Sequence, residues 1–322
     1  MDPLIVLFGL GVGILVGTTG MGGGSLMTPL LILVFGIKPV VAIGTDLIYG
    51  AVTKTVGGWR HWRAGSVHMP TSMWLAVGSV PGAIAGVITL DRLRSAYGGK
   101  AFDNLVLVLV AAALLLTAAA VLVRALLLPR VVARERDTLQ LTRRDKIVAV
   151  ATGLTIGFVL AVTSAGSGSL IAVVLIAWYR LKPRRVVGTD VFHAALLLWV
   201  AGIAHVFSGN VDFGLAGNIL IGSVPGVWIG AGLSQRLPEN GLRPTLGVVL
   251  LASGLALLSK AGASIPAGVI FGAPLALAAV AAPFLVRAAR AGSRGQPARV
   301  LPAQALEAQQ RPTPVFAAPE AS

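Results

Sequence analysis

The pair Lys38-Pro39 recurs as Lys182-Pro183, and the offset of 144 residues carries a whole set of unlike residues with it. Gly44-Thr45-Asp46 returns as Gly188-Thr189-Asp190, His61 as His205, Gly65 as Gly209 and Val67 as Val211. Gly78-Ser79-Val80-Pro81-Gly82 returns as Gly222-Ser223-Val224-Pro225-Gly226. Upstream, Gly22, Gly24, Ser25 and Leu26 map onto Gly166, Gly168, Ser169 and Leu170 without a gap. Shared hydrophobicity does not align Pro, His, Thr-Asp and Gly in one register. The chain is a duplication, which restricts it to folds made of two like halves, a common plan among membrane transporters.

Lipid is the solvent of those halves. Of 322 residues 56% are hydrophobic and 12% charged, and the mean hydropathy is +0.85. A soluble domain carries roughly 25% charged residues, so this chain cannot cover a globular surface with polar groups. Apolar stretches run at 3–18, 25–36, 39–58, 71–90, 103–127, 147–161, 168–180, 186–207, 213–235, 242–260 and 265–287. Several reach the about 20 residues that span a bilayer as helix. The first pair and the 147–180 pair are shorter and interrupted by Gly and Ser. The predicted fold class is therefore all-α, a polytopic transmembrane helical bundle with Gly-broken helices. The expected organisation is a first membrane repeat (1–128), a basic cytoplasmic linker (129–146), a second repeat (147–260), an additional transmembrane helix (261–287) and a disordered cytoplasmic tail (288–322). The start Met1-Asp2-Pro3 lacks the basic opening of a secretory signal and is read as mature chain.

The net charge of +14 does not indicate a nucleic-acid partner. Its Lys and Arg lie between apolar stretches or in the tail, without interleaved aromatics, as positive-inside loops do. The distribution also orients the halves. The Lys38 loop carries one cation, whereas its counterpart carries Arg180, Lys182, Arg184 and Arg185. The next loop carries Arg60 and Arg63, whereas Ser208–Asp212 carries none. The bias reverses between copies, so the two repeats are expected to be inverted, although the loop with Arg92, Arg94 and Lys100 falls on the outside in this arrangement.

Four groups of residues are candidates for chemistry. Gly17–Ser25, with Gly22, Gly23, Gly24 and Ser25, and Ala161–Ser169, with Gly166, Ser167, Gly168 and Ser169, each interrupt an apolar stretch. A helix restarting at such a break points free N–H groups and a positive dipole end into it. Two breaks facing each other across an inverted repeat would bind a small anion near the midplane; close small-residue helix packing is the plainer alternative. Thr45-Asp46 and Thr189-Asp190 lie about two turns into their spans, where an ionisable group is costly and marks function. The acids can carry a proton or tie helices, and the Thr hydroxyls can meet solute or their own backbone. Lys54 lies on roughly the face of Asp46, to pair with it or to attract an anion, and His193 stands near Asp190. His61 and His205 end matching spans as interfacial anchors or as proton relays. The Gly-Ser-Val-Pro-Gly segments read as hinges. Without cysteine there is no disulfide or thiol site, and no metal or cofactor is expected.

Taken together, Gly20-Met21-Gly22-Gly23-Gly24, Lys38-Pro39 with Ala42-Ile43-Gly44-Thr45, His61 with Gly65 and Val67, and Gly78–Gly82, all duplicated over roughly residues 4–260, resemble the TauE/SafE sulfite exporter superfamily. The resemblance implies a multi-pass cytoplasmic-membrane transporter, not an enzyme, for small anions such as sulfite, sulfoacetate and other organosulfur or carboxylate compounds. Many relatives carry Ser or Asn where this chain has Asp46 and Asp190, which makes proton coupling more attractive. A cation or proton-linked permease using the Asp pair is the rival within transporters. A lipid-modifying intramembrane enzyme lacks a nucleophile constellation, and a scaffold has no need of paired acids. The expected partners are a small anionic solute and membrane lipid, and the reading leaves room for a homo-oligomer.

Overall fold

The computed structural model describes residues 3–19, 24–126, 140–234 and 239–276. Among the described residues the helices follow in the order α1 (Pro3–Thr19), α2 (Gly24–Leu33), α3 (Pro39–Arg63), α4 (Met69–Tyr97), α5 (Gly99–Leu126), α6 (Arg143–Thr163), α7 (Ser167–Ala177), α8 (Pro183–Phe207), α9 (Phe213–Ser234) and α10 (Glu239–Lys260). Five of them, α4, α5, α6, α8 and α9, are by length and composition able to cross a membrane. Part of the expected additional span, residues 267–276, is helical, and residues 261–266 before it form a turn and an irregular stretch; residues 277–287, the tail and most of the linker lie outside the described residues.

Local chemistry sets the helix ends. Pro39 and Pro183 open α3 and α8 at the first helical position, where a missing N–H costs nothing. The α6 helix starts four residues before its apolar stretch because Thr142 and Asp145 form a reciprocal capping box. It stops at Ser164, a non-glycine residue with φ of 56°, followed by Gly166 at φ 99°. That second angle suits only a residue without Cβ. The chain then re-enters helix as α7, so the second Gly/Ser segment is a break between the long helix α6 and the short helix α7.

Glycines spaced by four bring helix backbones into contact. A Cβ at Gly222, Gly226 or Gly230 of α9 would fall on the carbonyl oxygens of Val6, Leu10 and Ile14 of α1. One at Gly78, Gly82 or Gly86 of α4 would fall on those of Val150, Leu154 and Phe158 of α6. Numbers rise together in both pairs, so α1 lies parallel to α9, and α4 to α6. The Gly-Ser-Val-Pro-Gly segments thus form packing seams of the small-xxx-small kind. In the α3–α8 pair numbers run in opposite senses: Gly50 meets Leu198, Gly58 meets Phe192, and Gly202 meets Ile48. The α5–α10 pair is antiparallel too, through Gly254 against Leu115 and Gly247 against Leu122.

With the short turns between α3, α4 and α5, these senses leave α1, α3 and α5 running opposite to α6, α8 and α10. The exchange is consistent with two inverted halves. The short helices α2 and α7 pack on α3 and α8 respectively, and also on α10 and α5. The broken helices therefore lie between an α3–α8 layer and an α5–α10 layer.

Candidate functional site

The first turns of α2 and α7 meet. Ser25 from one and Gly168 and Ser169 from the other line a single small cavity, joined by Thr117 from α5. It has about 10 Å³ of free space, enough for about one water. Both Ser169 Oγ and Thr117 Oγ1 are buried there without a hydrogen-bond partner. Of the residues read as the breaks, Gly22 and Gly23 lie outside the described residues. Gly24 and Ser167 begin α2 and α7, and Gly166 caps α7.

The Thr residues of the Gly-Thr-Asp motifs occupy a different place. Thr45 Oγ1 accepts the backbone N–H of Asp212 at 3.0 Å, and Thr189 Oγ1 accepts that of His68 at 2.8 Å. These bonds are equivalent under the 144-residue offset. The preceding glycines complete the joint: a Cβ at Gly44 would strike Asn210, and one at Gly188 would strike Ser66. Each Gly-Thr thus receives the helix-connecting turn of the opposite half.

The two acids are equivalent in sequence and unlike in surroundings. Asp46 Oδ2 accepts the hydroxyls of Thr28 at 2.6 Å and Ser164 at 2.9 Å, while its Oδ1 has no partner. One carboxylate therefore links α2, α3 and the α6–α7 break. The offset places Ala172 opposite Thr28 and Gly20 opposite Ser164, so neither donor is repeated at Asp190. Its carboxylate lies instead against the first turn of α7, with Oδ2 3.5 Å from the position of a Cβ on Gly168.

Along the antiparallel pair Asp190 stands level with Gly58, twelve residues past Asp46, or about 18 Å of helix rise. Buried Lys54 falls between these levels and interacts electrostatically with both acids. Near them, Tyr49 and His193 occupy equivalent positions three residues after each Asp. The Tyr49 hydroxyl and both His193 ring nitrogens are buried, Tyr49 beside Ser223 and His193 beside Ser72.

His61 and His205 end α3 and α8. His61 Nδ1 lies 3.0 Å from Ser66 Oγ. His205 is fully buried, with Nε2 2.8 Å from the Ala161 carbonyl near the end of α6 and Nδ1 3.5 Å from Asn210 Nδ2. The Asn210 oxygen accepts from Arg94 of α4 at 3.0 Å. With Asn210 so oriented its Nδ2 donates to Nδ1, and the imidazole proton sits on Nε2 toward Ala161.

Sequence reasoning did not single out Thr28, Thr117 or Tyr49. Tyr49 was within reach through the offset that pairs it with His193. Thr28 and Thr117 carry no motif, and only packing brings them to the breaks.

Comparison with known proteins agrees with this architecture. The family model described as sulfite exporter TauE/SafE matches residues 5–257. The "Probable membrane transporter protein YjnA" of Bacillus subtilis is 39% identical over 80% of this chain and 100% of its own length. The "Probable membrane transporter protein YdhB" of the same organism is 29% identical over 79% of this chain and 99% of its own. An archaeal relative, the "Probable membrane transporter protein MJ0441" of Methanocaldococcus jannaschii, is 25% identical over 80% of this chain and 95% of its own. No solved structure matches the chain. Duplicated motifs, a multi-pass helical bundle and a family match over most of its length place the chain in the sulfite exporter TauE/SafE family of membrane transporters.

Proposed function

We propose that the protein is a secondary transporter of the cytoplasmic membrane that moves small anions, sulfite, organosulfonates or related organic anions, by alternating access coupled to protons. The observation that carries this reading is the cavity where the first turns of α2 and α7 meet. Helix N-termini favour negative charge, and the polar side chains there are hydroxyls able to donate. Seams of glycine between halves suit rigid rocking of one half against the other about a central site.

Coupling follows from charge. Asp46, Asp190 and Lys54 together carry one net negative charge when all are ionised, and one proton neutralises the group. A proton taken up at either acid lowers its repulsion toward an incoming anion, so the two travel together. His61 and His205, at the outer ends of the same helices, are the relay positions.

The test is uptake of labelled sulfite and a panel of small organic anions into proteoliposomes, with and without a proton gradient. Gradient-dependent anion flux in the wild type, lost in Asp46→Asn/Asp190→Asn, is expected. Well-folded protein that passes monovalent cations and no anion would overturn the reading in favour of a cation permease built on the buried acids.

A further inference from the structure

Asp46 and Asp190 sit at different levels of the antiparallel α3–α8 seam, and one lysine lies between them. Lys54 is four residues from Gly58, the level of Asp190, and eight from Asp46, a rise of about 6 Å against about 12 Å. Its electrostatic interaction is accordingly stronger with Asp190 than with Asp46. One cation offsets one carboxylate, so the excess negative charge falls on Asp46. That residue is 0% exposed, and a buried charge is costly unless compensated. Its hydrogen-bond donors are neutral: Thr28 and Ser164 both give their hydroxyls to Oδ2, and Oδ1 is left without a partner.

No further charge comes to its aid. On α3, Tyr49 and Lys54 act on it. From α8 come Asp190, His193 beside Lys54, and His205, whose ring is engaged with Ala161 and Asn210. Ahead of α9, Asp212 turns its carboxylate to the Leu215 amide. Helices α2 and α9 themselves carry no charged residue, those of α6 stand in its first turn, and those of α5 lie near its ends.

We propose that the coupling proton is carried by Asp46, on Oδ1, while Asp190 stays ionised with Lys54 as its counter-charge, and that the proton's arrival loosens the hold of Asp46 on the two broken-helix segments. The assignment rests on the proton-coupled reading above and names its acid. With an O–H bond on Oδ1, Oδ2 becomes a carbonyl oxygen that still accepts both hydroxyls. Bonds to a charged acceptor are about twice as strong as bonds to a neutral one. The first broken-helix segment (α2, through Thr28) and the α6–α7 break (through Ser164) are therefore gripped when the acid is ionised and eased when it is loaded. Asp190 has no such grip to release, since Ala172 and Gly20 stand where its two donors would be.

The experiment is infrared difference spectroscopy of the reconstituted full chain between alkaline and acidic buffer. A protonated carboxyl C=O band is expected in acid. Thr28→Val and Ser164→Gly should each move it to higher wavenumber by removing one hydrogen bond from Oδ2, and the glycine suits the backbone at φ 56°. Thr28→Ser should leave it in place, as should Asp190→Glu, which keeps the charge. In alkaline buffer, amide exchange of α2 and of residues 164–169 should be about fivefold faster in Asp46→Asn than in wild type, the neutral acceptor holding its donors about 1 kcal/mol less tightly. Each variant is checked for an unchanged melting temperature in detergent. A band moved by Asp190→Glu and untouched by Thr28→Val and Ser164→Gly, or no carboxyl band at all, overturns the assignment. Equal exchange in Asp46→Asn and wild type overturns the release. A band assigned to Asp46 in protein that passes no anion in proteoliposomes overturns the transport reading and leaves the proton's place standing.

Discussion

The indole N–H of Trp199 donates to the hydroxyl of Thr55 at 2.8 Å, and these residues are 144 apart, the repeat offset itself. In a duplicated chain, equivalent positions touch only where the relation between the copies passes through the molecule. The antiparallel α3–α8 pair crosses there, and Lys54 is its immediate neighbour. One lysine beside that crossing therefore serves two acids, one on each side. Its equivalent in the second half is Leu198.

Removing the indole donor should loosen this crossing only slightly. Trp199→Phe is expected to cost about 0.6 kcal/mol, typical of interhelical hydrogen bonds in membranes. Denaturant unfolding in mixed micelles measures it, and Thr55→Val should lose a similar amount. A double variant that loses twice as much would show that the two side chains do not act as a pair.

The glycine seams should tolerate no side chain. Gly78→Ala and Gly222→Ala push a methyl into the carbonyls of Val150 and Val6, and overpacking of this kind costs about 1–3 kcal/mol. A Cβ at Gly217 meets nothing within 4 Å. Gly217→Ala should therefore be neutral or stabilising, by up to about 1 kcal/mol. Thermal melts of the purified variants compare them directly.

Lys54→Met leaves two buried carboxylates without their shared cation. A loss of about 3–5 kcal/mol is expected. Adding Asp190→Asn should recover part of it, a coupling of about 0.5–3 kcal/mol. Strictly additive losses in this cycle would separate Lys54 from Asp190.

Asp46→Asn keeps an oxygen for Thr28 and Ser164, so its melting temperature should stay within a few degrees of wild type while gradient-dependent uptake is lost. Asp46→Leu strands both hydroxyls and should cost about 1–3 kcal/mol for each one left unpaired. Equal stability of the two variants would show that the hydroxyls are satisfied elsewhere.

Much of the fold was legible in the sequence. The Lys-Pro pairs, read from the sequence as a repeat, open α3 and α8 in the structure, because proline is accepted at the first helical position and disrupts later ones. The Gly/Ser run at 164–169 marked a break because its backbone angles suit few residues. The Gly-Thr motif was visible as a repeat, yet its work was not. Whether Thr45 meets solute, its own helix or the Asp212 amide depends on where a turn 167 residues away is folded.

Repetition at a fixed offset, composition and the reversed charge bias determined that this is a duplicated helical bundle in lipid, because periodicity and transfer energy are properties of local chain. Only the tertiary structure decided that Asp46 and Asp190, identical in motif, differ in surroundings. Thr28 and Ser164 reach one acid and have no counterpart at the other, and Lys54 falls between the two. Hydrogen bonds and buried charges act over a few ångströms of space, and the packing of the helices alone sets which residues come within that range.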